Sequence, residues 1–252
     1  MTREEALFRA VLRMGDNNLV LGHRLSEWCG HGPVLEEDIA QTNIALDLIG
    51  QTRNLLTYAG ELEGKGRSED DLAYLRGERE YLNVQLVELP KADYAFTIAR
   101  SFLYDAFHLP LQQALTESRD EHLKAIAGKA VKEVTYHLRH SSEWLIRFGD
   151  GTEESHRRAQ EAVDELWRYT GELFVPDEAE ELLAKDGTLP KLADLKAEWS
   201  ATVDRVLNEA MLKRPADGWM AGGGKKGVHT EHLGPMLAEM QILQRTFPGV
   251  EW

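Results

Sequence analysis

The sequence predicts an all-α protein built around a bundle of four long helices. Apolar residues recur at spacings of three and four along almost the whole chain, which is typical of helices with one buried stripe. Alternating β-branched segments bounded by turn pairs, which would indicate strands, are absent from the sequence. Glycine-rich breaks divide the chain into long segments, so the helices are expected to fold back on one another.

The first two helices are predicted to form an antiparallel hairpin. The first ends at Gly30-His31-Gly32-Pro33. The second extends from about Leu35 to Leu62, a span of roughly 40 Å at 1.5 Å per residue. Gly64-Lys65-Gly66 then ends it. The apolar stripe of the first helix consists of Leu7, Val11, Met14, Asn18, Leu21, Leu25 and Trp28. The face of the second helix that the pattern assigns to the interior carries Ile39, Asn43, Leu46 and Gly50.

A crossover and a second hairpin follow. The crossover covers residues 68–91, with a shorter helix at about Asp70–Leu86 and a stop near Pro90. The next helix spans about Asp93–Glu117, and Pro110 inside it predicts a kink. Its partner spans about Glu121–Phe148. Two short turns joined by a long connection are typical of a ferritin-like four-helix bundle rather than a simple up-down bundle.

The remainder of the chain predicts short accessory helices. Amphipathic segments lie at about 153–174 and 190–211. A glycine-rich loop from Gly218 to Gly227 precedes a last helix at about Thr230–Thr246. No composition shift marks a boundary, so residues 1–252 are predicted to form one domain, with the core bundle at about 5–149 and accessory helices at about 153–246.

Composition excludes several classes of function. The 252 residues include 29 Lys and Arg against 43 Asp and Glu, a net charge of −14. Such a chain is poorly suited to nucleic acid phosphates or to an anionic membrane surface. The single cysteine, Cys29, cannot form an intramolecular disulfide, and beside Trp28 it is expected to be packed and inert. With no apolar signal core and no long apolar run, the chain is predicted to be cytoplasmic.

Four acids fall at mid-height of the predicted bundle. Folding each hairpin about its turn pairs Asp16 with Asp47 and Asp105 with Glu133. A ferritin-like bundle that binds two irons takes one carboxylate from each of two helices and a Glu-x-x-His pair from each of the other two. The positions three residues after Asp47 and Glu133, where histidine is required, hold Gly50 and Tyr136.

The loss of both imidazoles favours a hydrogen-bonded polar core over a metal site. His137 lies about 100° around the helix from the required position. Four ionised carboxylates without cations would repel one another, so at least one is expected to have a raised pKa or a cationic or Asn partner. The candidate partners are Asn17, Asn18, Asn43 and His23.

Other polar residues allow two interpretations each. Arg76, Arg79 and Asn83 on the crossover could contact a partner or a ligand phosphate, or the arginines could pair with nearby glutamates. Lys225 and Lys226 in the loop Gly222–Gly227 could do the same, or the loop could pack against a partner. The histidine pair at 229 and 232 could bind a metal or begin a capped helix.

Five sequence blocks are similar to the family of C subunits of bacterial phenylacetyl-CoA 1,2-epoxidases, the phenylacetate ring monooxygenases. The resemblance covers the chain from about residue 10 to its end, and the C-terminal block is the most specific. The blocks are Gly15–Leu21 (GDNNLVL), Glu27–His31 (EWCGH), Asn43–Gln51 (NIALDLIGQ), Lys132–Arg139 (KEVTYHLR) and Gly223–Gln241 (GGKKGVHTEHLGPMLAEMQ).

The resemblance implies a ferritin-like, structural subunit without its own active site. In that family the di-iron site and substrate pocket belong to a catalytic sister chain, the A subunit, with which the C subunit pairs, and a small B subunit bridges the pairs. A separate reductase with FAD and an iron–sulfur cluster delivers electrons from NADPH. The resemblance also implies that loss of the ligand histidines is shared across the family.

Two hypotheses therefore follow from the sequence. The first is a catalytically silent structural subunit of a monooxygenase, with a partner surface of roughly 2,000 Å² and some self-association when alone. The second is an active di-metal oxygenase or iron-binding protein with atypical ligands. The glycine-rich loop and the first turn of the last helix are expected to contact the A subunit or to order the neighbouring end of the bundle.

Overall fold

The computed structural model describes residues 1–250, and within them it is all-α and ferritin-like, as predicted. No strand occurs in these residues. No helix among them is long and apolar enough to cross a bilayer. The α-helices are α1 Arg3–Ser26, α2 Leu35–Glu63, α3 Glu69–Tyr74, α4 Gln85–Glu88, α5 Tyr94–Leu115, α6 Glu121–Gly149, α7 Glu153–Trp167, α8 Glu178–Lys185, α9 Leu192–Glu209, α10 Leu233–Met240 and α11 Ile242–Thr246.

Helices α1 and α2 form one hairpin and α5 and α6 the other, with α2 beside α6. The ends of these helices follow from local chemistry. Thr2 caps α1 together with Glu5, and Asp120 caps α6 by accepting the Leu123 N–H. Gly64 ends α2 at a φ of 66°, a backbone conformation that glycine adopts without strain. Helix α5 continues through Pro110.

The face of α2 assigned to the interior is instead its outer face. Ile39 is 52% exposed and Leu46 is 63% exposed, while Ile44 and Leu48 on the other side are buried. The prediction was wrong because α2 is apolar on both sides, so periodicity alone gave no basis for choosing between them.

The crossover contains less helix than predicted. Helix α3 ends at Tyr74, and the chain then continues through a 3₁₀ turn and an extended segment at residues 81–84. Side chains of α1 hold that segment: Asp16 accepts the Leu82 N–H at 2.9 Å and Asn17 accepts the Val84 N–H at 2.8 Å. The backbone N–H groups of this segment are therefore hydrogen-bonded to side chains of α1 instead of to carbonyls within a helix.

The C-terminal half also differs in detail. The segment predicted at 153–174 divides into α7 and a 3₁₀ turn at Gly171–Phe174, and the last helix divides into α10 and α11. Helix α8 was not predicted. Cys29 is exposed rather than packed.

The accessory helices enclose one side of the bundle. Helix α8 lies against α1, while α7 and α9 lie against α5. As a result α1 and α5 are buried along most of their length, whereas α2 and α6 keep an exposed outer face.

Candidate functional site

A hydrogen-bonded chain of polar side chains crosses the centre of the bundle. The Asn18 amide donates to Gln51 Oε1 at 3.0 Å, and the Gln51 amide donates to Glu133 Oε2 at 2.9 Å. The Tyr104 hydroxyl donates to Asn18 Oδ1 at 3.3 Å. One side chain from each long helix thus takes part, and each supplies a hydrogen-bond partner for its neighbour inside an apolar core.

A second group of ionisable residues lies in the same bundle. His137, whose side chain is fully buried, donates through Nε2 to Asp47 Oδ2 at 3.1 Å. The Ser141 hydroxyl donates to Asp105 Oδ2 at 2.8 Å. Burial raises the pKa of Asp105 to about 6, although the charge of His137 and the Ser141 bond oppose the rise. Burial, with a contribution from His137, lowers the pKa of His108 to about 3, so that imidazole is neutral at pH 7.

Asp16 does not join the other three acids. It is fully buried, forms an ion pair with Arg76, and accepts the Leu82 N–H from the crossover. The predicted convergence of four acids is therefore wrong. Asp47, Asp105 and Glu133 also have separate partners, and within residues 1–250 no three such side chains form a group that could hold a metal ion. Asn18, two residues on and about 200° around the helix, faces the bundle centre instead. The expected cationic partner and raised pKa are nevertheless confirmed, at Asp16 and Asp105 respectively.

The predicted positions of the ligand histidines lie on the outside of the bundle. Gly50 is exposed, and a Cβ added there would have no neighbour within 4 Å. Tyr136 is 38% exposed. His137 is the imidazole that enters the core, four residues after the half-buried Glu133. Within residues 1–250 no group of three or more His, Cys, Asp or Glu side chains is arranged to hold a metal ion.

Sequence reasoning missed several residues of the bundle centre. Gln51 and His108 lie one helical turn after Asp47 and Asp105, and Tyr104 directly precedes Asp105. A signal was present: Gln51 belongs to the stripe that includes Ile44 and Leu48, the side of α2 that was predicted to face solvent.

The crossover candidates are mostly inaccessible to a ligand. Arg76 is 2% exposed, and Asp16 and the Leu72 and Glu80 carbonyls accept its hydrogen bonds. Asn83 is fully buried, and its amide donates to Glu88 at 2.9 Å. The proposed contact role of both residues is therefore corrected to an internal one, and only Arg79 is exposed.

The glycine-rich loop is ordered by internal contacts. Lys225 is 6% exposed, and its ammonium donates to Glu180 at 3.0 Å and to the Val175 carbonyl at 2.9 Å. Burial lowers the pKa of Lys225 despite the opposing charge of Glu180. Lys225 is thus not a partner contact, whereas Lys226 is exposed. A Cβ on Gly224 would overlap the Asn83 carbonyl oxygen, so only glycine fits where the loop meets the crossover.

The two C-terminal histidines do not form a metal pair. Both ring nitrogens of His229 are used, since Nδ1 donates to Glu88 at 2.8 Å and Nε2 donates to the Tyr81 carbonyl at 2.9 Å. Burial lowers the pKa of His229, but the hydrogen bond and charge of Glu88 outweigh it, and the net shift is upward. Glu88 also accepts the Thr230 N–H, so this cluster joins the last segment to the crossover.

The outer face of α2 carries a row of exposed apolar side chains. We define the α2 stripe as the exposed residues that recur at helical spacing along it. Its members are Leu35 (72% exposed), Ile39 (52%), Leu46 (63%) and Ile49 (39%), with Gly50 beside them. Monomeric proteins seldom leave such rows in water unless a partner covers them.

Comparison with known proteins gives two matches. Residues 1–252 match the family model described as phenylacetic acid catabolic protein. The chain is also 53% identical over 242 residues to the C subunit of the 1,2-phenylacetyl-CoA epoxidase of Escherichia coli (strain K12), covering 96% of this chain and 97% of that protein.

Proposed function

The chain belongs to the phenylacetic acid catabolic protein family, and from that membership we propose that it is a non-catalytic structural subunit of a phenylacetyl-CoA epoxidase. The observation that carries the proposal is that each of the four candidate acids is already bound to another side chain. Asp47 is bound to His137, Glu133 to Gln51, Asp105 to Ser141, and Asp16 is paired with Arg76 outside the centre.

The bundle centre does not fit a carboxylate-bridged iron pair. Such a pair needs a Glu-x-x-His unit on each of two helices, with both side chains pointing inward. Here positions 50 and 136 face outward, and the inward imidazoles are a neutral His108 and a His137 already paired with Asp47. The proposal therefore assigns dioxygen activation to another subunit.

In the proposed assembly this chain pairs with the catalytic, di-iron A subunit. The small B subunit bridges the pairs, and a separate reductase carrying FAD and an iron–sulfur cluster supplies electrons from NADPH. We place the complex in the cytoplasm, where it epoxidises the ring of phenylacetyl-CoA. The contribution of this chain is to bind the catalytic subunit and hold it in its active assembly.

The α2 stripe supports pairing with another helical subunit. Leu35, Ile39 and Leu46 form a row at the spacing of one helix face, which fits the groove between two helices of a partner. Gly50 lacks a side chain on this face and has open space around it, so a partner helix can approach the α2 backbone closely there. Neighbouring α6 carries Lys129, Lys132 and Arg139 on its outer side, which suits an acidic border on the partner.

One observation favours an alternative, an iron-binding protein with atypical ligands. His108 and His137 each keep a buried Nδ1 that has no hydrogen-bond partner within residues 1–250. Those two nitrogens are the donors that such a protein would use.

Co-expression with the catalytic subunit distinguishes the two functions. The structural proposal expects the complex of a His137→Gln variant to keep its epoxidation rate per complex, while the iron-binding alternative expects a large loss of rate. A matched control is Leu46→Glu, which leaves the bundle centre intact and is expected to release the catalytic subunit. Failure of the unaltered chain to bind any other epoxidase subunit would overturn the proposed function.

A further inference from the structure

A groove of about 920 Å³ lies away from the α2 stripe, where the N-terminus, residues 171–178 and the loop at 220–226 meet. Its apolar lining includes Val175, which is 63% exposed, together with Pro176 and Met220. Trp219, immediately before Met220, is 76% exposed, more than any other large apolar residue in the described part of the chain. The groove therefore combines a cleft with an uncovered tryptophan beside it.

The acids of the groove already have partners. Glu172 accepts the backbone N–H groups of Gln85 at 2.9 Å and Gly223 at 2.8 Å. Asp177 is paired with Arg9 and Arg13, and these arginines hold its pKa at about 2 against the opposing effect of burial. Glu178, which is more exposed than Glu172 and Asp177, lies 3.6 Å from the N-terminal ammonium.

Within the described residues, two of the lysines that line the groove are unpaired. Lys196 and Lys226 line it and are exposed, and neither has an acidic partner among residues 1–250. These two lysines, beside acids that already have partners, give the groove a local positive charge on a chain whose net charge is −14. Such a site attracts an acidic segment, whereas a symmetric dimer formed through it would bring two positively charged grooves together.

The shape favours a protein segment over a small anion. A phosphate cradle would need free backbone N–H groups, but Glu172 already accepts those of Gly223 and Lys225. The groove is open to solvent and partly apolar, and the exposed Trp219 beside it is the type of residue that most often dominates protein interfaces.

We propose that this groove binds an acidic segment with an apolar anchor, from a subunit other than the one that covers the α2 stripe. The anchor packs against Val175, Met220 and Trp219, and the acidic side chains pair with Lys196 and Lys226. The inference rests on the proposed function, since it takes the segment from another subunit of the epoxidase.

The test uses the complex formed when the full chain is co-produced with the other epoxidase subunits. Two variants are compared with the unaltered chain, Trp219→Ala and the double variant Lys196→Glu with Lys226→Glu. A matched control reverses two exposed lysines that do not line the groove, Lys65→Glu with Lys213→Glu. Native mass spectrometry reports which subunits remain bound, and titration over salt concentration reports their affinity.

The expected result is that the groove variants weaken retention of one partner by about tenfold or more while the catalytic subunit stays bound. The control should bind both normally. In parallel, acrylamide should quench Trp219 in the free chain but not in the complex, measured as the difference between unaltered and Trp219→Phe proteins.

Two results would overturn the inference. One is a complex of unchanged composition and affinity in both groove variants, which leaves the proposed function standing. The other is a change only in self-association of the isolated chain, which would make a second copy the occupant. Absence of any complex with the unaltered chain would instead remove the proposed function, together with the inference that rests on it.

Discussion

At the scale of single residues, the ion pair of Asp16 and Arg76 shows how the structure accommodates buried charge. Both residues are almost fully buried, and each would carry an uncompensated charge without the other. Arg76 also donates to the Leu72 and Glu80 carbonyls, so it joins α1 to the irregular crossover. The pair therefore positions the crossover rather than a ligand.

Arg76→Leu is expected to lower the free energy of unfolding by about 3–5 kcal/mol, because Asp16 would remain buried without a cation. Urea denaturation of the isolated chain measures the change. Arg79→Leu, an exposed neighbour, should stay within about 0.5 kcal/mol of the unaltered chain. Equal stability of the two variants would show that the ion pair does not hold the crossover.

Asp105 predicts a specific pH dependence of stability. Its pKa rises from 3.8 to about 6 on folding because burial disfavours the carboxylate, so between these values the folded state binds more protons than the unfolded state. The stabilisation is present below pH 4 and is lost as pH rises through 6, an effect of about 3 kcal/mol. Asp105→Asn should remove it, so the variant gains stability relative to the unaltered chain between pH 4 and pH 7. Parallel pH profiles for the two proteins would contradict this account.

At the scale of elements, helix α2 is the informative case. It is apolar on both sides, and its inner face packs in the bundle through residues such as Leu48 and Leu55. Its outer face keeps Leu35 and Leu46 in water, and that exposure has no function in an isolated chain. Exposing these apolar side chains to water is unfavourable in the isolated chain, and a helical partner that covers them would remove that cost.

Leu46→Glu should weaken pairing with the catalytic subunit while the isolated chain melts within a few degrees of the unaltered protein, since the site is already solvated. Size-exclusion chromatography of mixed subunits measures the pairing. Leu75→Glu supplies the control, because Leu75 is 52% exposed on the crossover and outside the stripe. Complete retention of the complex by Leu46→Glu would exclude the α2 stripe as the pairing surface.

The glycines of the C-terminal loop and of α6 should respond oppositely to alanine. A Cβ at Gly224 would overlap the Asn83 carbonyl, so Gly224→Ala is expected to cost about 1–3 kcal/mol. Gly128 lies in open space inside α6, and Gly128→Ala should add about 0.5–1 kcal/mol of stability. Thermal unfolding of both variants tests the packing of the loop on the crossover, which a neutral Gly224→Ala would disprove.

The same elements show what sequence could predict. The long helices follow from the apolar period and from caps such as Thr2 and Asp120, which are local signals. The side of α1 on which Asp16 lies depends on Arg76, 60 residues away in the chain, and no local pattern records that contact. The crossover was predicted as helix because its apolar spacing suits one, but α1 side chains bind its backbone in an extended form.

At the scale of the whole molecule, one side of the bundle is enclosed and the other is open. Helices α7, α8 and α9 cover α1 and α5, and the Glu88–His229 pair joins the C-terminal segment to the crossover. The α2 stripe and the groove beside Trp219 remain uncovered, in separate parts of the surface. A subunit that binds two partners is expected to have two separate exposed surfaces and a bundle centre whose acids are bound to other side chains.

The most direct test of this account is the iron content of the chain. The unaltered chain is produced in iron-replete medium, purified alone and again from the assembled complex after separation of the subunits, and iron is quantified in each. The account predicts no stoichiometric iron on this chain in either preparation, with the iron of the complex recovered on the catalytic subunit. A stoichiometric iron pair that stays with this chain and is lost in His137→Gln would contradict it.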